Sequence, residues 1–427
     1  MKTTTFRPAF TGGEAVAMAV IMAVSVTLGF IMRDPAFNGA DAISYNNFAQ
    51  SAQDWAYWLD PQAFEKTYFP MGYPTLLALA TKLSPGSYWA PQIINTLLIP
   101  VLCLIGWALT HHLSRLTRLT TMGAIAISPS IIWMSQNNGY EMVIAFLACS
   151  ALTIAWKGPS LPRQSRWVSY GGPVIAGLFI GAAVLTEAPA LAFIPLLAFL
   201  TFSWGRIQGS LFLLAGALLP ALWTLRNILI LGRWSPLSTN GPLVFWHGNN
   251  GVTTTGGVQE ALIPPPPGTT SLTDAAIGWI LSQPEAAFSL FLRRMMRLLE
   301  PTYMYRDISD IAGVNLLPHA YAIGFSSIGI LLFVSYIFAR VWVGPPTLPR
   351  VGPAALFVLS FLIFFLPFQA EPRYLAPVVP VALAVAVPTA FALCRRVSLM
   401  SIWERLSIAR TQFSTNDPRV PQNVEND

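Results

Sequence analysis

Long apolar runs recur along the chain, separated by short basic links and by two long mixed segments. Ten such runs lie near 13–32, 88–109, 118–134, 138–156, 171–186, 188–203, 209–226, 319–340, 352–368 and 374–394. A membrane helix needs about 20 mainly apolar residues. The pattern therefore predicts an all-α polytopic membrane protein with about ten transmembrane helices. The fifth and sixth runs form a tight helical hairpin, broken at Thr186-Glu187-Ala188-Pro189. Residues 1–394 read as one transmembrane domain, with long outer segments at about 33–87 and 227–318 that bear interfacial helices. The first run starts basic like a signal peptide, but its apolar stretch is long, and no clear small-x-small site precedes Arg33. It is kept as a span. The tail 395–427 is polar, carries Pro418 and Pro421, and reads as disordered beyond a short interfacial helix.

Composition removes the soluble alternatives. The 427 residues are 54% hydrophobic and only 10% charged, against about 25% charged in an ordinary soluble protein. Three cysteines, Cys103, Cys149 and Cys394, all sit in apolar runs, so no disulfide framework or CxxC metal signature is present. Charge then sets the orientation. With the N-terminus inside, the inner links hold Lys2, Arg7, Arg115, Arg118, Lys157, Arg163, Arg166, Arg206, Arg340 and Arg350. The tail adds Arg395, Arg396, Arg405, Arg410 and Arg419, making 15 of the 25 basic residues. Positive residues favour the cytoplasmic side, so both termini are placed there; the resemblance set out below implies a bacterial inner membrane. The net charge of +6 is then a topology signal, and nucleic acid is not an expected partner.

The chemistry is expected on the outer face, because loops this long inside a compact protein carry function. Asp41 opens a predicted helix to about Leu59, on which Tyr45, Phe48, Ala49 and Ala52 share one face. A carboxylate suits that first turn, and a plain helix cap is the competing reading of Asp41. Trp55, Tyr57 and Trp58 read as interface anchors. The segment continues through Glu65-Lys66 to Pro70-Met71-Gly72-Tyr73-Pro74, then a short apolar stretch that lies along the surface or re-enters. Three further polar points face outward: Gln136 to Glu141, Thr186-Glu187, and Glu371-Pro372-Arg373-Tyr374. Ionisable groups at membrane depth are expensive and are functional candidates; capping or a Glu371–Arg373 pair is the alternative.

The second outer segment opens with Arg226-Asn227 and continues to Trp246-His247-Gly248-Asn249-Asn250-Gly251. That density of Asn and Gly means tight turns, which can bind sugar or phosphate or can be only turns. Pro264–Pro267 is a stiff polyproline stretch. Residues 274–300 are expected to form one amphipathic helix with Arg293, Arg294 and Arg297 near its end. Such a helix grips anionic head groups or simply snorkels its arginines.

Taken in order, these features resemble the GT-C superfamily of integral-membrane glycosyltransferases, in its bacterial branch related to protein O-mannosyltransferases and aminoarabinose transferases. The resemblance covers roughly 13–394. Asp41-x3-Tyr45-x3-Ala49 is similar to the family's acidic motif after the first span. Pro70-x-Gly72-Tyr73-Pro74-x-Leu76-Leu77 is similar to its Pro-rich motif. Ser128-Pro129 through Glu141 looks like its "SP…E" junction, and Arg226-Asn227 through Gly248-Asn249-Asn250 like its "RN…GN" segment. Glu371-x-Arg373-Tyr374-x2-Pro377-x2-Pro380 resembles its last-span motif. Two departures stand out. Related aminoarabinose transferases carry Glu-Lys followed directly by Pro-Pro, where this chain has Thr67-Tyr68 after Glu65-Lys66. Many members have Arg-Pro at the fifth-to-sixth turn, where this chain has Thr186-Glu187-Ala188-Pro189.

The resemblance implies transfer of a sugar from a polyprenyl-phosphate carrier to an envelope glycan, lipid or protein outside the cytoplasm, with inversion. It implies that Asp41 acts as base or positions the acceptor. Tyr45, Glu65, Lys66, Tyr73, Glu141, Glu187, Arg226, Asn249, Asn250, Arg293, Arg294, Arg297, Glu371, Arg373 and Tyr374 are the candidate substrate-binding residues. No cofactor is required by the pattern. A divalent ion at Glu141 is allowed, but with only His247 and His319 outside, a His-rich metal site is excluded. No Rossmann or P-loop pattern is visible. The alternatives are a transporter or flippase for lipid-linked sugars, against which no internal repeat is seen, and a non-catalytic scaffold.

Overall fold

The computed structural model describes residues 12–31, 40–54, 69–83, 90–136, 139–158, 167–232, 234–235, 237–253, 267–269, 271–298, 352–368, 370, 372–392 and 394. The expected span 319–340, the tail 395–427, Trp55, Tyr57, Trp58, Glu65, Lys66, Pro264–Pro266, His319 and Glu371 lie outside the described residues. Those described are helical or in connecting turns, and no strand occurs among them. α1 is Gly12–Ile31 and α2 Ala40–Ser51, followed by α3 Gly72–Leu83 and α4 Ala90–Leu109. α5 is Arg115–Ala126, α6 Pro129–Gln136 and α7 Glu141–Lys157. α8, Gly172–Thr186, turns through Ala188–Phe193 into α9, Ile194–Phe202. α10 is Arg206–Leu231, α11 Gly241–Gly248, α12 Leu272–Ser282, α13 Pro284–Leu298 and α14 Gly352–Phe365. A 3-10 turn, Pro372–Val378, leads into the last helix, α15, Tyr374–Ala392.

Among the described residues, five helices are long and apolar enough to cross a membrane: α1, α4, α8 with its leading turn, α10 and α15. α7, the α9 hairpin arm and α14 are shorter apolar helices at expected span positions. Two expectations are corrected. The run 118–134 is not one helix but two, α5 and α6. Pro129 disfavours helical backbone at the residue before it, and the chain breaks at Ile127-Ser128. Likewise 274–300 is two helices, α12 and α13, meeting at a bend of 106°. Pro284 starts the second, where a missing N–H costs nothing.

α7 forms the centre. Met142, Ile144, Ala145, Ala148, Cys149, Ala151 and Leu152 are all buried on it, as expected for a helix apolar all round. Its Cys149 thiol donates to the Pro377 carbonyl at 3.3 Å and so fixes the start of α15. α8 and α10 approach closely through small residues. A side chain at Gly177 would collide with the Phe212 carbonyl, and one at Gly181 with Gly216 of α10. An apolar stripe of α10 is left exposed: Leu214, Leu218, Leu222, Leu225 and Leu229. At the expected inner end, buried Glu14 of α1 pairs with Arg118 of α5 at 2.9 Å, and the guanidinium lies 4.1 Å over the Trp107 ring.

Candidate active site on the outer helix ends

α2 and α3 form a hairpin beside the bundle, tied by the Gln53 amide donating to Thr81 at 2.7 Å. The expected apolar face of α2 is the packed one: Tyr45, Ala49 and Ala52 are buried and Phe48 packs against the core. α3 begins at Gly72 because nothing larger fits there. A Cβ would lie 2.6 Å from the Thr186 backbone nitrogen. This contact sets α3 against the end of α8, one residue before Glu187.

Four aromatic rings meet at that point. Tyr45 lies 4.6 Å from Phe69, 5.2 Å from Tyr73 and 6.0 Å from Tyr140, the last two edge-on. Tyr73 and Tyr140 are 6.5 Å apart. Edge-to-face packing of this kind holds rings rigidly. Two carboxylates border the cluster. Glu141 is buried, and its carboxylate folds back over Gly139, where any Cβ would strike it. Asn95 of α4, fully buried, donates to the Gly139 carbonyl at 3.3 Å and holds this turn.

Electrostatics keep the phenols protonated. Burial raises the Tyr73 hydroxyl far above its ordinary range, and the Glu141 carboxylate adds to this while Asn95 opposes it. Tyr140, just before α7, is raised by burial first and then by Glu187, Tyr45, Glu141 and Tyr374. Sequences from five separate parts of the chain thus converge: α2, α3, the α6–α7 junction, the α8–α9 turn and the start of α15. The cluster offers hydrogen-bond donors from phenols and proton acceptance from carboxylates.

Of the nominated residues, Tyr45, Tyr73, Glu141, Glu187 and Tyr374 are brought together here. Asp41 occupies the first turn of α2, as expected, and Arg373 the 3-10 turn opening α15; the structure gives only their places in these helices. Arg226 lies near the C-terminal end of α10, bonded to Asn227 at 3.1 Å and 5.2 Å from the Trp223 ring.

Asn249, Asn250 and Arg294 form a separate, buried group. The Asn249 amide donates to Phe245 and Pro367 carbonyls at 2.8 and 2.7 Å, and its oxygen accepts from Arg294. Asn250 donates to Trp246 and accepts from Val252 and Thr253. The Arg294 guanidinium also donates to the Gly248 and Leu366 carbonyls. These side chains spend their bonding on the protein itself. Arg293 is exposed and Arg297 half-buried on the same helix.

Tyr140, Phe69 and Asn95 were not nominated from the sequence. Asn95 carried a readable signal, a polar amide inside the apolar run 88–109. Tyr140 carried none beyond adjacency to Glu141.

Scans against protein-family models and against curated proteins give no match. Solved structures do match. The oligosaccharyltransferase of Archaeoglobus fulgidus, in its apo form, superposes with a TM-score of 0.55 at 14% identity, covering 92% of this chain and 52% of that one. ArnT from Cupriavidus metallidurans, bound to undecaprenyl phosphate, gives 0.54 at 14% identity, covering 89% of this chain and 60% of that one. The chain therefore spans about half to three-fifths of the length of these proteins. It shares the fold of these two proteins over the part it spans.

Proposed function

We propose that this protein is a glycosyltransferase that moves a sugar from a polyprenyl-phosphate carrier to an extracytoplasmic acceptor, with inversion at the anomeric carbon. The observation that carries the reading is convergence. In a GT-C fold, the acidic-motif helix α2, the Pro-rich helix α3, Glu141, Glu187 and the start of α15 meet at one outer point. An all-helical bundle with lipid-facing flanks also lets a long isoprenoid reach that point from the bilayer.

Among the described residues, no three His, Cys, Asp or Glu side chains gather to hold a metal ion; a divalent ion, if required, would draw on Glu141. The acceptor hydroxyl attacks the anomeric carbon as the bond from that carbon to the carrier phosphate breaks. Asp41 takes the hydroxyl proton as general base. Charge builds on the departing phosphate, and Arg373 and Arg226 stabilise it. Glu141 orients the acceptor or assists Asp41, and the protonated phenols of Tyr73 and Tyr140 hold sugar hydroxyls. The acceptor is an envelope glycan, lipid or protein.

The test is transfer by protein in lipid nanodiscs, supplied with a panel of radiolabelled polyprenyl-phosphate sugars and an extract of envelope acceptors. Wild type transfers label, and Asp41→Asn loses roughly 10²–10⁴-fold. Equal transfer by both would remove Asp41 as base. Donor binding without any transfer would favour a transporter.

A further inference from the structure

Three successive residues after α14 are held from the second outer segment. The Leu366 carbonyl accepts from Arg294 at 2.9 Å, and the Pro367 carbonyl from Asn249 at 2.7 Å. The Phe368 carbonyl presses on Gly248 so closely that any side chain there would collide with it. Asn249 and Arg294 also bond each other at 3.2 Å, so the two donors act as one bracket. Five residues beyond Phe368 comes Arg373. The far side of that stretch is fixed as well. The Tyr374 ring stacks on Phe365 at 4.5 Å and 9°, and Cys149 holds the Pro377 carbonyl.

We propose that Asn249 and Arg294 are positioning residues for Arg373: the bracket holds Leu366–Phe368, a few residues before the 3-10 turn that bears Arg373, and thereby sets the place from which Arg373 meets the carrier phosphate. The inference rests on the reading of Arg373 given under the proposed function. A bracket of amide and guanidinium donors on consecutive carbonyls does not titrate and does not need ligand to form. It sets geometry in advance, and displacement of a phosphate-binding group by about 1 Å can cost up to ~100-fold.

The experiment measures binding of undecaprenyl phosphate to the full chain in nanodiscs, for wild type, Asn249→Ala, Arg373→Gln and the double variant. Backbone hydrogen exchange is followed on the same samples. Asn249→Ala is expected to weaken binding roughly tenfold, and to speed exchange in 366–378 while leaving α2 and α3 unchanged. The double variant binds no more weakly than Arg373→Gln, because the bracket acts only through that arginine. If the two losses multiply, or Asn249→Ala binds as wild type while Arg373→Gln does not, the positioning role is overturned. Faster exchange throughout the chain would also overturn it, leaving a purely structural bond. If Arg373→Gln binds as wild type, the role of Arg373 itself fails, and if wild type does not bind, the carrier reading and the bracket's role fall together. Gly248→Ala, which pushes on Phe368 without removing a hydrogen bond, gives the same pattern where Asn249→Ala does not fold.

Discussion

Two polar clusters are buried at helix ends, and they are built from different chemistry. Around Tyr45 the groups are carboxylates and phenols, with Tyr73 and Tyr140 held protonated chiefly by burial. Around Asn249 they are amides and a guanidinium. The second cluster directs its side chains into backbone carbonyls and turns. The first sets carboxylates beside protonated phenols within packed rings. Buried polarity alone therefore does not mark a site. What separates the two is the kind of group each gathers.

The sharpest way to break the contrast is to remove the arginine. Arg294→Met leaves the Gly248 and Leu366 carbonyls and the Asn249 oxygen buried without their donor. At roughly 1–3 kcal/mol for each stranded group, the loss is about 3 kcal/mol or more. Thermal unfolding in detergent should fall steeply. An unchanged melting temperature would show that water or another group takes over the carbonyls.

Glu141→Gln is expected to do the reverse. It preserves shape and removes a charge whose burial is costly, so thermal stability holds or rises slightly. Transfer activity falls about hundredfold if the carboxylate orients or deprotonates the acceptor. A fall in stability with activity retained would move Glu141 into the structural class with Asn249.

Sequence made the apolar face of α2 readable because helical spacing alone decides it. Tyr45, Ala49 and Ala52 are buried together for that reason. It also read the hairpin break at Glu187, since Pro189 forbids helix continuation. The protein-internal bonds of Asn249 and Arg294 were not legible, because a buried cation or amide looks the same in sequence whether it faces ligand or carbonyl. Only the fold brings Leu366 to Arg294, across 72 positions of chain. The break at Ile127-Ser128 was missed because apolar content continues through it; Pro129 was the signal, and hydropathy outweighed it.

A control for the outer clusters sits at the other end of the bundle. Glu14→Gln removes the partner of Arg118. The pair is mostly but not fully buried, so the cost falls between exposed and buried ion pairs, roughly 1–3 kcal/mol. Melting temperature should drop while undecaprenyl phosphate binding and transfer by the remaining folded protein stay unchanged. A change in binding would couple the two ends and weaken the assignment of chemistry to the outer face.

The smallest effect is a pH response within the inert cluster. His247 lies on α11, and its own carbonyl accepts from Asn250 and Thr253 at 3.2 and 2.7 Å. Burial lowers the proton affinity of its ring. Above the ordinary histidine value of about 6.5 the ring is neutral in both folded and unfolded chains, and stability is full. As pH falls below that value, the unfolded chain takes up the proton first, so stability is lost until the folded ring also titrates. The unfolding temperature of wild type should therefore fall more between about pH 7.5 and about pH 5.5 than that of His247→Gln. Equal falls would assign the response to other groups, and the Asn249 cluster would then be insensitive to protons throughout, which would make its contrast with the tyrosine–carboxylate cluster complete.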